Sequence, residues 1–493
     1  LIINAMSALF SAFTILFLFW TITHLVRRIL NKEMEELSSA EMISVLFSGV
    51  IGSLAFTFSD TFWYSAVEGE VYSMASMFIA LVVWLITKWE NEYHDSDSQR
   101  WIILIFFITG LSVGVHMMVM LAVPAVCFIY YARNYKFTWK NFIIANFITL
   151  GVLAFVFKGI FPIVMRLFGK SEIFFVNSIG LPFHSGTIIA FMILVAFCYY
   201  IIRYTRKTKN HLYQTIALSV VYMIIGFSCW MMIPIRANAN PPMNLNNPDT
   251  AIGMLDYYNR EQYGDWPTIY GQNYTAHLDA HGIERNEDGG YKTIKTGDVY
   301  EKNEKTGKYD KVDERTSYVY NKEHVSFLPR MYNSDRTVMN NYVSMYGAPD
   351  FEFNYSNENI VDNPHAKKAF DELKAKYEDG NITAKDYLDV KSYDLIKIKK
   401  PTLAQNLHYF IDFQNGYYFA RYLMWNFVGR QNDLEGHMEN TNGNWISGIS
   451  AIDNMMLGDQ DNLPSKFKNE STVYFFFLPF LLGIIGFAYQ SLK

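Results

Sequence analysis

The stretch WYSAVEGEVYSM, residues 63–74, places two carboxylates, Glu68 and Glu70, between apolar runs at 43–58 and 71–88. Both runs approach bilayer length, because about 30 Å of hydrocarbon takes roughly 20 helical residues at ~1.5 Å each. Ionisable groups in or beside hydrocarbon are costly, rare and usually functional. If 68–70 were helical, the two side chains would point about 200° apart; in an extended loop they would share a face. Two readings stand. Either these are helix-start carboxylates in an exposed loop, complementing the helix dipole, or they are metal-binding or catalytic carboxylates at the mouth of a membrane cavity. Asp60, just upstream, falls under the same question.

The rest of the chain supplies the context. It has 493 residues, enough for two or more domains. It is 51% hydrophobic yet 18% charged, which reflects two unlike parts: 1–235 and 472–489 are mostly apolar, and 236–471 is polar. A net charge of −5 offers no clustered basic face, so nucleic acid is excluded as a partner. Cys127, Cys198 and Cys229 all lie in apolar segments and describe neither a disulfide framework nor a metal site. The chain starts at Leu1 inside an apolar run without the pattern of a signal peptide, so it is expected to be an internal fragment of a longer protein.

Candidate spans are 1–26, 43–58, 71–88, 101–131, 141–160, 186–203, 212–234 and 472–489. The run 101–131 is too long for one crossing, and GLSVGVH, 110–116, offers two glycines for a break near His116. With that split the bundle at 1–235 has about eight helices. The basic residues after the first span (Arg27, Arg28, Lys32) and those at Lys88, Arg100, Arg133, Lys136, Lys140, Arg203, Arg206, Lys207 and Lys209 then fall on one side, the cytoplasmic one. Lys158, Arg166 and Lys170 break the pattern; an interfacial helix at GIFPIVMRLFGK, 159–170, able to hold a phosphate, would account for them. The other side receives 59–70, the turn at His116 and all of 236–471. That large extracytoplasmic region has the aromatic residues for a core. It shows Gly-containing turns of a β-hairpin excursion near 289–320 and two helices around Gly380 within 365–390. The residues 472–493 form a further transmembrane helix.

Several clusters have both a plain and a functional reading. His116 is a lone imidazole, the kind usually satisfied by a neighbouring carbonyl. DSD at 95–97 mimics a nucleotide-sugar metal motif but falls in a cytoplasmic loop. IRANANPPMNLNNPD, 235–249, gathers Arg236, Asn238, Asn240, Asn244, Asn246 and Asn247. Asn and Pro form turns, yet amides beside a guanidinium also suit a polyhydroxylated or phosphorylated ligand. NREQYGD, 259–265, adds Arg260 and Glu261. RYLMWNFVGRQND, 421–433, and GNWISGI, 443–449, repeat the mixture with Trp425, Asn426 and Arg430.

FWYSAVEGEVYSM, GLSVGVHMMVMLAVPA, IRANANPP with NNPD, NREQYGD, FLPRMY, MWNFVGRQND and GNWISGI, in that order, resemble a bacterial integral-membrane family that is similar to the animal plexin-type O-mannosyltransferase. The resemblance implies a polytopic α-helical membrane protein of GT-C type: an inverting glycosyltransferase with a polyprenyl-phosphate sugar donor, an exported-protein acceptor, an outer-face site and residence in the bacterial inner membrane with its soluble region in the periplasm. It supports Glu68, Glu70, His116, Arg236, Asn238 and Arg260 as site-lining positions without assigning roles. Asp60, Asn240, Glu261, Trp425, Asn426 and Arg430 are added as substrate-binding candidates from the residues. The family pattern carries a further helix and an acidic outer loop before the part where this chain begins, so the main catalytic acid is expected there; it also continues past Lys493. The sequence specifies no cofactor, and a divalent cation at Glu68 or Glu70 stays open. Membrane lipids are expected partners. Two rival functions remain: a transporter or flippase, although no internal repeat supports it, and a structural subunit of an envelope assembly.

Overall fold

The computed structural model describes residues 1–491 except 33, 96, 264–266, 268, 328–335, 347, 348 and 469. The chain divides into two compact units, Leu1–Gly264 with Tyr300–Val312, and Asp265–Val299 with Asp313–Lys493.

The first unit is helical: α1 (Ile2–Leu30), α2 (Ser39–Thr57), α3 (Asp60–Val67), α4 (Val71–Asn91), α5 (Gln99–Ser112), α6 (Met117–Asn134), α7 (Trp139–Ser178), α8 (Ser185–Thr208), α9 (His211–Ala237) and α10 (Ala251–Asn259). Among the described residues, seven of these helices (α1, α2, α4 and α6–α9) are long and apolar enough to cross a membrane, while α5 and a helix starting at Leu478 are shorter apolar ones. The burial pattern is inverted relative to a water-soluble bundle. α1 buries Ser7, Ser11, Thr14, Thr21 and His24 and exposes Leu9, Phe13, Leu16 and Trp20. Hydrocarbon solvates leucine as well as a protein core does, so polar and small side chains are the ones driven to helix contacts.

The contacts sort the helix ends into two groups. At one end the Asn4 side-chain amide donates to the Val67 carbonyl (2.9 Å), the Tyr72 and His116 rings stand 5.6 Å apart, and Gly114 packs on Cys229. This gathers the start of α1, the α3–α4 bend, the α5–α6 turn and the last turns of α9. At the other end Arg27 donates to Asn91 (3.0 Å) and Arg28 to Glu90 (2.9 Å), Tyr93 donates to Asn134 (2.7 Å), and Thr215 bonds Gln99. The run 101–131 is two helices, broken at 113–116. Gly110, however, serves a close approach rather than a break: a Cβ there would overlap the Met223 carbonyl, and one at Gly226 the Phe107 carbonyl. α5 and α9 therefore touch backbone to backbone.

α7 departs from the sequence expectation of a span with a separate interfacial helix after it. It runs unbroken from Trp139 to Ser178, roughly 60 Å at ~1.5 Å per residue. Pro162 has no N–H to donate back, and the π-helical stretch Phe155–Ile160 just ahead of it absorbs the defect. Lys158, at the midpoint, and Arg166 and Lys170, in the second half, all ride on this one helix.

The second unit is α+β. Its strands are β1 (Tyr270–Gln272), β2 (Thr293–Asn303), β3 (Lys308–Tyr318), β4 (Val325–Phe327), β5 (Phe351–Phe353), β6 (Ile396–Ile398), β7 (Gly429–Arg430) and β8 (Val473–Tyr474), paired β1–β4, β2–β3, β5–β6 and β7–β8. The tip of the β2–β3 hairpin is the part, Tyr300–Val312, that clusters with the first unit. Helices α11 (Arg336–Tyr346), α12 (Pro364–Glu378), α13 (Ala384–Lys391), α14 (403–427), α15 (Ser450–Leu457) and α16 (Leu478–Ser491) complete it. Tyr274, Tyr342, Phe370, Tyr387, Leu395 and Tyr409 are among its core residues. α12 and α13 are separated by Gly380 at φ +72°, the left-handed position that ends a helix at little cost to glycine.

Because α5 and α9 leave no room for a side chain between them, Gly110→Leu or Gly226→Leu should abolish accumulation of folded protein or lower its melting temperature by at least about 5 °C. Gly151→Leu, facing open space, should do neither; thermal shift in detergent measures it. In the second unit, burial first and then the nearby Lys391 charge hold His277 down to about 4. The unfolded chain thus takes up that proton before the folded one does, and stability present above pH ~6.5 should be lost as pH falls toward 4. Amide-exchange protection at 275–279 should track that curve, and His277→Gln should flatten it.

Candidate functional site

α3 ends because Glu68 adopts extended backbone (φ −93°, ψ 146°), and Glu70, also extended (φ −111°, ψ 159°), stands at the N-cap of α4. The Glu70 amide donates to the Glu68 carbonyl (2.9 Å). Both glutamates are exposed, and neither side chain has a hydrogen-bond or ion-pair partner among the described residues. The bend is held from below by α1: a Cβ on Gly69 would meet Ile3 at 3.0 Å and Asn4 at 3.2 Å. Asp60 sits half-buried in the first turn of α3. His116 caps the start of α6, its Nδ1 accepting from the Met118 amide (3.0 Å). The neutral ring consequently carries its proton on Nε2.

The same helix end carries the chain from 235 to 263. Arg236, in the last turn of α9, is exposed and has no hydrogen-bond or ion-pair partner among the described residues. The asparagines divide. The Asn238 amide donates to the Pro234 and Asp249 carbonyls (2.8 Å each), and the Asn244 amide to Ala237 (3.3 Å) and Asn247 (2.6 Å); these close the loop. Asn240 occupies the left-handed region at φ 48°, and its side chain is exposed. Arg260, at φ 58°, caps α10 with its guanidinium 5.0 Å from the Tyr263 ring, and Glu261 accepts from Asn259 (3.1 Å). α10 lies on α7, Gly169 against Leu255, with Tyr258 5.4 Å from Trp230. Burial pushes the Tyr258 phenol up to about 12, and the charge of Arg166 works against that shift. Arg166 on α7, Arg236 in the last turn of α9 and Arg260 at the end of α10 thus come from three elements that meet at α10. Ser96 of the DSD stretch, Gly264 and Asp265 of NREQYGD and residues 328–332 of FLPRMY lie outside the described residues. Among the described residues no group of three or more His, Cys, Asp or Glu could hold a metal ion.

Among the described residues, a carboxylate to which the sequence does not point accepts four hydrogen bonds. Glu172, on α7, is fully buried and accepts from the His184 amide (2.6 Å), the Thr187 amide and hydroxyl (2.8 Å each) and the Tyr309 hydroxyl (3.1 Å). Asn177 grips the backbone of Tyr309 from both sides, donating to its carbonyl (2.7 Å) and accepting from its amide (2.9 Å). Burial and then the Glu172 charge push the Tyr309 phenol up. A lone Glu in RLFGKSEIFF gives no sequence cue to such a socket.

Trp425, Asn426 and Arg430 belong to the second unit. The Arg430 guanidinium stands 4.8 Å from the Trp425 ring, which stacks at 5.7 Å on Tyr422, and the Asn426 amide donates to the Tyr422 carbonyl (2.8 Å). The amides around them form a scaffold. Asn432, fully buried, donates to the Thr441 and Phe467 carbonyls and accepts from the Gly443 amide, while Asp453 accepts from Ser447 and Gly448. Thr275, His324 and Asp279 stand in line, with 3.0 Å from the Thr275 hydroxyl to His324 Nδ1 and 3.9 Å from His324 Nε2 to Asp279. All three are buried, and Asp279 is already engaged by the Ile398 and His281 amides, so this is a core network.

Residues 1–139, which contain the acidic bend and His116, match the family described as protein O-mannosyl-transferase TMEM260 N-terminal domain. This part of the chain is related to that transferase. Residues 264–411 match a family of unknown function, DUF8416. The protein O-mannosyl-transferase tmem260 of Dictyostelium discoideum is 26% identical over 110 residues, covering 20% of this chain and 13% of that protein. No solved structure matches the chain.

Glu172→Ala should remove a buried acceptor from four donors and cost about 3 kcal/mol or more, while Tyr309→Phe should cost about 1 kcal/mol. Chemical denaturation of the purified protein checks both, and equal effects would contradict the socket.

Proposed function

We propose that the chain is a membrane glycosyltransferase of GT-C type that moves a sugar from a polyprenyl-phosphate donor to a Ser or Thr hydroxyl of an exported protein, in a bacterial inner membrane. The basic helix ends face the cytoplasm, and the end bearing Glu68, Glu70, His116 and Arg236 faces the periplasm. The observation that carries this reading is that end: two carboxylates and a guanidinium without side-chain partners among the described residues share one end of a lipid-adapted bundle, within a unit whose first 139 residues match an O-mannosyltransferase family.

In the proposed step the acceptor oxygen attacks the anomeric carbon and the bond from that carbon to the phosphate oxygen breaks. One displacement inverts the configuration. A carboxylate of the 68–70 bend orients the acceptor or takes its proton. Arg236, with Arg166 and Arg260 around α10, stabilises the departing lipid phosphate, for which a planar guanidinium is well shaped. His116 Nε2–H offers a donor toward a sugar hydroxyl, and Asp60, Asn238, Asn240 and Glu261 line the surroundings. Trp425, Asn426 and Arg430 are proposed as carbohydrate- or acceptor-binding residues on their own unit. A divalent cation at the bend remains compatible with the carboxylates.

Glu70→Gln and Arg236→Ala should each lower glycan transfer in isolated membranes at least ten-fold at unchanged protein level. Transfer from a radiolabelled polyprenyl-phosphate sugar measures it. Wild-type rates in both variants would remove the bend and the arginine from the site.

A further inference from the structure

Between Glu172 and Asp249 the chain contains no Asp or Glu. Yet the end of α8 carries Arg203, Arg206 and Lys207, with Lys209 just past it, all exposed. α8 packs on α7 and α9, and neither brings a carboxylate to that end. α9 has none, and Glu172, the one acidic residue of α7, is enclosed at the opposite end of α8, where it accepts from His184 and Thr187. Among the described residues none of the four cations has an ion-pair partner. Their counter-charge has to come from outside the protein.

The side chains between these cations show what supplies it. α8 is a regular α-helix throughout, so successive residues turn by about 100°. Arg206, Tyr199, Arg203, Lys207, Tyr200 and Tyr204 then follow one another around an arc of about 160°. Thr205, which is buried, points away from the centre of that arc. The three tyrosines are more than half exposed. The Arg203 guanidinium donates to the Tyr199 hydroxyl (2.9 Å), which holds the charge over the helix face, and the Tyr200 and Tyr204 rings stack 6.1 Å apart. Toward the start of the helix the same side exposes Ile188, Met192 and Val195. Aliphatic, then tyrosine, then arginine and lysine is the order of one bilayer leaflet: hydrocarbon, interface, phosphate. Basic residues that served only to keep the end in water would need no exposed tyrosines among them.

We propose that the last turns of α8 are a binding surface for an anionic phospholipid. Arg203, Arg206 and Lys207 take its phosphate, Tyr199, Tyr200 and Tyr204 meet the glycerol and ester region, and the acyl chains follow Met192 and Val195. The charge complementarity is one-sided: this part of the protein is cationic without any internal partner, and the lipid brings the anion. This inference does not rest on the glycosyltransferase reading.

The test uses the full chain in phosphatidylcholine liposomes that carry a trace of photoactivatable lipid, either phosphatidylglycerol or phosphatidylcholine. Phosphatidylglycerol should label peptides within 188–208 at least about five-fold more strongly than phosphatidylcholine. Unlabelled phosphatidylglycerol should compete, and inorganic phosphate should not. Equal labelling by the two lipids would make the surface an ordinary lipid boundary, and competition by inorganic phosphate would leave only exchangeable anions at the cations; either result overturns the proposal. The unmodified chain suffices for this comparison, so it stands even where a variant fails to fold. The triple variant Arg203→Gln, Arg206→Gln, Lys207→Gln should lose the preference for phosphatidylglycerol at an unchanged melting temperature, while Lys136→Gln with Lys140→Gln should keep it. A preference that survives in the folded triple variant would also overturn the assignment.

Discussion

The backbone contact between α5 and α9 is the constraint on which the site-bearing end depends. Gly110 lies against the Met223 carbonyl and Gly226 against Phe107. No side chain separates the two helices there, so the segments that leave them are fixed in register. The turn 113–116 emerges from α5 directly beside Cys229 on α9, and seven residues later α9 presents Arg236. On its other side the turn offers His116 to Tyr72, the second residue of α4, next to Glu70. The chemistry proposed for this end is therefore positioned by a helix contact buried in the membrane-spanning region, and loop residues contribute direction more than location.

Three environments in the first unit show how surroundings separate the roles of its glutamates. Glu172 is dry and saturated with donors, and moving it into a buried site is tolerable only because four hydrogen bonds replace its water. Glu90 binds Arg28 at the opposite helix end, the partnered state typical of charges near a bilayer. Glu68 and Glu70 have neither arrangement: their backbone is extended, their carboxylates are exposed, and no described residue bonds them. A solvated carboxylate costs nothing to keep, so exposure by itself is no argument for a site. Confinement on a bend pinned by Asn4 and Ile3, with the His116 ring 5.6 Å from that of Tyr72, is a stronger one.

Much of the fold was legible because its rules are coarse. Apolar length marked the spans, and GLSVGVH marked the break in 101–131 correctly in place while concealing the reason for Gly110. The continuity of α7 is hidden because Pro162 and the charges at 158, 166 and 170 look like a helix end; only a π-helical stretch, which sequence periodicity does not announce, lets the helix continue. Glu172 and Tyr309 are 137 residues apart in the chain, and no local pattern connects them.

The asparagine-rich segment shows why a composition signal for sugar binding needs its hydrogen bonds counted. An amide has two donor hydrogens and one acceptor oxygen, and a turn that uses the donors leaves only the oxygen for a ligand. Asn238 and Asn244 have used theirs on carbonyls of the same loop, and Asn432 and Asn444 on carbonyls of theirs. Of the five asparagines in 235–249, Asn240, Asn246 and Asn247 take left-handed backbone, and Asn247 engages only its side-chain oxygen, accepting from Asn244. The donors this segment offers a ligand are thus the Arg236 guanidinium and the amides of 235–249 that the loop itself does not use. A planar guanidinium is shaped for phosphate oxygens, and this is the chemical ground for the role proposed for Arg236 at a departing phosphate.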